Sequence, residues 1–131
     1  MPLVAIPTTA GTGSEATHFS VIYIDNVKYS LAHDFMLPDY AIVDAKLSFN
    51  LPCHIAATSG IDALSQAIES YWSVKSTEKS KSIASKAIIL ILRVLKDAVR
   101  GDKQAKIIMS RAAHFLSPQN LWQLFKISYI E

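Results

Sequence analysis

The chain changes its hydrophobic period once, at Leu51-Pro52, and that change limits the folds open to it. Before it, short apolar runs alternate with turn residues; after it, apolar residues recur every three or four positions. Residues 3–6 read as a buried strand that runs into a Thr/Gly-rich turn. Residues 19–25, Phe-Ser-Val-Ile-Tyr-Ile-Asp, read as a strand, Asp25-Asn26 as a turn, and 27–31 as the return strand of a hairpin. Tyr40-Ala41-Ile42-Val43-Asp44 follows Pro38-Asp39 and reads as another short strand. Beyond Pro52 the chain reads as helical. Residues 55–72 form a helix with Gly60 as a local interruption, ending in Tyr71 and Trp72, which read as interdomain packing residues. Thr77 is placed to cap a helix over 79–99, whose Ile83, Ala87, Ile91 and Leu95 share one apolar face. Gly101, just past Lys96 and Arg100, ends that helix, and 104–116 forms another. The tail after Pro118 has no helical or strand period. The expected fold class is α/β passing to all-α, with a boundary dividing 1–51 from 52–131.

Composition excludes several partners. A chain of 131 residues, 50% hydrophobic and 18% charged, suits one domain or the joint between two. Its formal charge of +2 is too small to argue for nucleic acid or an anionic membrane. The apolar run 87–92, bracketed by Lys86 and Arg93, is far too short to span a bilayer, and residues 1–6 lack the basic segment of a secretory signal. One cysteine, Cys53, excludes an internal disulfide framework and fits a reducing compartment. A soluble, cytoplasmic protein is expected. His54 beside Cys53 points to another helix face, so Cys53 reads as structural or incidental.

Two stretches carry chemistry. In Pro7-Thr8-Thr9-Ala10-Gly11-Thr12-Gly13-Ser14-Glu15-Ala16-Thr17, two glycines allow a tight turn and hydroxyls offer hydrogen bonds to a sugar or phosphate. The composition equally fits a plain strand-to-loop turn. No Gly-Lys-Ser/Thr occurs, so this is not a Walker loop. Gly11-x-Gly13-x-x-Ala16 fits a loose dinucleotide fingerprint, yet a strand-like segment follows where a helix is required. In Gly60-Ile61-Asp62-Ala63-Leu64-Ser65-Gln66-Ala67-Ile68-Glu69-Ser70-Tyr71, Asp62 and Gln66 lie one helical turn apart on one face. A carboxylate is a competent metal ligand and an amide oxygen a weaker one, but two such groups do not close a site. By spacing alone Asp62 also fits a solvated helix carboxylate.

Taken together and in this order, these stretches resemble the iron-containing alcohol dehydrogenases. The resemblance includes the connecting Leu37-Pro38-Asp39-Tyr40-Ala41-Ile42-Val43-Asp44-Ala45-Lys46-Leu47 and Leu51-Pro52, and covers residues 1 to about 116. It implies the end of a Rossmann-like nucleotide-binding domain at 1–51, followed by the start of a helical metal-binding domain at 52–131. It implies that Thr8, Thr9 and Thr12 line a site for NAD or NADP, that Lys28 reaches the cofactor and that Leu47 packs near it. Asp62 matches the first metal ligand, for Fe²⁺ or Zn²⁺, and Gln66 stands where the family usually has a histidine. The implied reaction interconverts a small-molecule alcohol with an aldehyde or ketone.

The wording around Gln66 is similar to the phosphonoacetaldehyde reductase branch, which acts on a small anionic aldehyde. The family's Gly-rich pyrophosphate loop and two further histidine ligands would lie beyond the two ends of this chain, and His114 matches no ligand position. The tail after Leu116 departs from the family, as a frame shift or premature end would produce. The alternative is therefore a non-catalytic fragment. A dehydroquinate-synthase-type lyase is disfavoured by the match at 7–15 and 60–71. His18 and His33 read as surface or capping residues, and exposed strand edges favour self-association into a homo-oligomer.

Overall fold

The structure, a computed structural model, describes residues 1–116 and the backbone of Ile127–Tyr129. Apart from that short strand, the tail after Pro118 lies outside the described residues. Among the described residues, five strands and three helices follow in order: β1 (Val4–Ala5), β2 (Phe19–Ile24), β3 (Val27–Ala32), β4 (Tyr40–Val43), α1 (Cys53–Trp72), α2 (Glu78–Val99), α3 (Lys103–Phe115) and β5 (Ile127–Tyr129).

The strands form two separate sheets. β4 lies between β1 and β5, parallel to both, with Val4 opposite Tyr40 and Ala41 opposite Ile127. Asp39 pins β1 to this sheet: its Oδ2 accepts the Leu3 amide at 2.8 Å, and its own amide donates to the Leu3 carbonyl at 2.9 Å. β2 and β3 form the expected hairpin, closed at Ile24 opposite Val27. Asp25 and Asn26 both take positive φ, 49° and 64°, as a two-residue turn matched to strand twist requires. The hairpin is exposed along nearly its whole length, including Phe19, Tyr23, Ile24 and Tyr29.

The helices pack through alanine. Ala63 and Ala67 of α1, Ala87 and Ala98 of α2, and Ala105 and Ala112 of α3 meet around Ile91 and Met109. Small side chains let the helices approach closely, so the core holds few bulky groups. The expected interruption at Gly60 does not occur: α1 runs unbroken from Cys53 to Trp72. A Cβ at Gly60 would crowd Leu95 Cδ1 and lie 3.2 Å from Met109 Cε, so the missing side chain makes room for α2 and α3. A glycine costs a helix about 1 kcal/mol relative to alanine, which this packing offsets. Trp72, expected to pack between domains, stands 78% exposed at the end of α1 among the described residues.

Cap chemistry follows the sequence closely. Thr77 Oγ1 accepts the Ser80 amide at 3.1 Å while Ser80 Oγ accepts the Thr77 amide at 2.8 Å, a reciprocal capping box. Gly101 takes φ 98° just after α2, and Asp102 caps α3 by accepting from the Ala105 amide at 2.7 Å. His33 is a cap as expected, its Nδ1 accepting from the Phe35 amide at 3.1 Å. No helix among the described residues is long and apolar enough to cross a membrane.

Candidate functional site

The Thr/Gly turn leaves the carboxyl end of β1 in a parallel sheet, the edge where α/β proteins bind ligands. Gly13 turns the chain with φ 61° and starts a short 3-10 turn, Ser14–Ala16. Thr12 Oγ1 is engaged locally, accepting from Ser14 Oγ at 2.9 Å and from the Ser14 amide at 3.3 Å. Gly11 is buried flush against α1: a Cβ there would collide with the Ser59 carbonyl oxygen and lie 2.8 Å from its carbon. The turn therefore rests backbone to backbone on α1, at the residue one helical turn before Asp62.

Asp62 is exposed, and its Oδ2 accepts from Gln66 Nε2 at 3.0 Å. Here the amide serves as a hydrogen-bond donor to the carboxylate, an ordinary i, i+4 pair. No group of three His, Cys, Asp or Glu side chains among the described residues could hold a metal ion. Cys53 is exposed at the start of α1 and joins no such group. Two oxygen donors fall short of the four to six that iron or zinc takes, so this pair alone does not fit either ion.

Beneath the turn lies a cavity of about 10 Å³ lined by Thr8, Thr9, Glu15, Asp44, Ser110 and His114, among others. That volume is at the lower limit for one water. Thr8 and Thr12 are exposed on the turn, and that cavity has room for nothing larger than a water. Thr8 and Thr9 thus share a cavity wall with Asp44 and Ser48, next to Leu47, which is 47% exposed in the 3-10 turn Ala45–Ser48. Lys28 stands apart from that cavity, exposed on the hairpin opposite Tyr23. A larger groove of about 390 Å³ runs along the ends of α1 and α2; its lining includes Gln66 but none of the turn.

Sequence reasoning missed the groups that fasten the turn. His114 Nδ1 lies 2.7 Å from Glu15 Oε1, with side chains 1% and 5% exposed, joining residues 99 apart in sequence. Lys106 Nζ donates to the carbonyls of Ser48 at 3.0 Å and Phe49 at 2.7 Å. Lys106, Ser110 and His114 recur every four residues on α3, and all three are buried. This polar stripe was visible in the spacing. Its purpose was not, because its partners lie before residue 52.

Comparison with known proteins agrees with this arrangement. Residues 1–45 match the family "Iron-containing alcohol dehydrogenase", and residues 56–116 match "Fe-containing alcohol dehydrogenase family, C-terminal". The chain is 44% identical over 116 residues to long-chain-alcohol dehydrogenase 1 of Geobacillus thermodenitrificans, covering 87% of this chain and 29% of that relative. An iron-containing alcohol dehydrogenase from Thermococcus thioreducens superposes with a TM-score of 0.86 at 36% identity, over 92% of this chain and 32% of that one. Sulfoacetaldehyde reductase from Bifidobacterium kashiwanohense in complex with NAD⁺ gives 0.86 at 37% identity, over 89% and 32% of the two chains. The short sheet followed by helices is thus the end of a Rossmann-like domain leading into a helical one. The chain spans less than a third of each of these relatives.

Proposed function

The chain belongs to the iron-containing alcohol dehydrogenase family, and from that membership we propose that it serves the NAD(P)-dependent interconversion of an alcohol with an aldehyde or ketone. The supporting observation is the seat of the turn on α1. Gly11 packs against Ser59, which precedes Asp62 by one turn on the same helix. In this reading residues 1–51 and 52–131 belong to two domains, and their joint forms the cleft.

The nicotinamide, when bound, supplies or accepts the hydride. The chain's own part is to hold and orient it. Thr8, Thr9 and Thr12 present hydroxyls and backbone to the dinucleotide, and Leu47 adds an apolar contact beside the same wall. Lys28 would reach in from the hairpin. Asp62, with Gln66 beside it, is proposed as one ligand of an Fe²⁺ or Zn²⁺ ion, which needs further donors. For substrate we favour a small anionic aldehyde such as phosphonoacetaldehyde. The supporting likeness is to a sulfoacetaldehyde reductase, whose named substrate is also a small anionic aldehyde. The exposed apolar hairpin supports a homo-oligomer.

A second reading, that these 131 residues have no turnover of their own, is favoured by the two-donor metal set among the described residues. One assay separates the two. Purified chain mixed with NAD(P)H and a small aldehyde is expected to bind the nicotinamide, seen as a fluorescence change, without saturable oxidation. Turnover that Asp62→Ala abolishes would show the chain to be catalytic alone. Unchanged nicotinamide fluorescence at saturating concentration would count against the cofactor assignment itself.

A further inference from the structure

A turn with two glycines in six residues has wide backbone freedom, so its shape must be imposed by what it touches. Above, Gly11 rests on α1 by close backbone contact with Ser59. Below, the constraint is directional. Glu15 follows the left-handed Gly13 in the Ser14–Ala16 turn, and its carboxyl is buried. Burying a carboxyl is costly without a strong hydrogen bond, and α3 supplies one from His114 at 2.7 Å. Ser110, one helical turn earlier on α3, lines the same small cavity as Thr8 and Thr9. An apolar plug would fill this space equally well. A hydrogen bond between two buried polar groups instead fixes the rotation of the turn as well as its height.

We propose that Glu15 and His114 are a positioning pair: their buried contact holds residues 8–13 in the shape that receives the dinucleotide, and neither residue touches it. The pair works by ordering the turn before the ligand arrives, which lowers the entropic cost of binding. This rests on the reading that the turn faces NAD(P), and the experiment separates the two.

Nicotinamide fluorescence gives the Kd for NADH, and amide hydrogen exchange reports on residues 8–13, with α2 as the internal control. Glu15→Ala is expected to weaken NADH binding about tenfold and to speed exchange in residues 8–13 while α2 exchanges as in the parent. Glu15→Gln keeps an acceptor in place and is expected to restore Kd to within about threefold of the parent. Should Glu15→Ala not fold, His114→Phe, which keeps a ring and drops the bond, decides by the same two readings.

Parent-like NADH affinity in the bond-deleting variant overturns the proposal. So does exchange that rises equally in α2, which would mark the pair as a general structural support. Thr9→Val tests the underlying reading: weaker NADH binding with unchanged exchange upholds a cofactor at the turn. If the parent itself binds no NADH, the cofactor reading falls and the positioning role falls with it.

Discussion

Gly11→Ala is expected to destabilise the fold by about 3 kcal/mol, among the larger costs a single added methyl can impose. Gly11 does not adopt positive φ; among the glycines, Gly13 and Gly101 do. Alanine would therefore suit its backbone conformation and even gain a few tenths of a kcal/mol by restricting the unfolded chain. The penalty is purely steric. The new Cβ meets the Ser59 carbonyl, with the carbon at 2.8 Å and Cα at 3.0 Å, and these are backbone atoms inside an unbroken helix. They cannot rotate aside as a side chain would, so the turn must lift off α1. Urea unfolding monitored by circular dichroism checks this, and a change under about 0.5 kcal/mol would show that the turn does not rest on the helix. The same substitution should weaken NADH binding, because lifting the turn separates its hydroxyls from the Asp62 helix.

Lys106→Met is expected to cost about 2 kcal/mol. Methionine preserves most of the buried stem and removes the two bonds from Nζ to the Ser48 and Phe49 carbonyls. The losses are unequal. Ser48 O still accepts from the Leu51 amide at 3.2 Å, whereas Phe49 O loses the donor it has here. A competing effect runs the other way, since replacing a buried polar group with an apolar one of similar volume is often neutral. The geometry favours a net loss, because the Phe49 carbonyl is fixed in place by the 3-10 turn before it and cannot simply turn to water. Equal unfolding midpoints for Lys106→Met and the parent would mean that packing alone holds this segment to α3.

What the sequence discloses about this molecule divides along a physical line. Local chemistry was legible. The hairpin followed from β-branched residues either side of Asp25-Asn26, and the start and stop of α2 from Thr77 and Gly101. These features depend on interactions within a few residues of each other, so their causes are adjacent in the chain. Gly60 was misread because helix propensity is a weak preference, and the side chains that override it, Leu95 and Met109, come from two other helices.

The candidate site shows the same division. The motifs marked Thr8, Thr9, Asp62 and Gln66, and the family likeness ordered them. The contacts that set the turn in place, Gly11 to Ser59, Glu15 to His114 and Lys106 to Ser48, span 48, 99 and 58 positions. No local pattern encodes such pairings. The four-residue spacing of Lys106, Ser110 and His114 sets them on one face of α3, and nothing in that spacing says that the face is buried or what it meets.

Chemical-shift mapping of the isotope-labelled protein during titration with NAD⁺ is the most direct test of the claim that turn and Asp62 helix form one site. The account predicts the largest amide shifts in residues 8–13 and around Ser59 and Asp62 on α1. Saturating NAD⁺ that leaves the turn amides in place, or moves only the groove between the ends of α1 and α2, would contradict it.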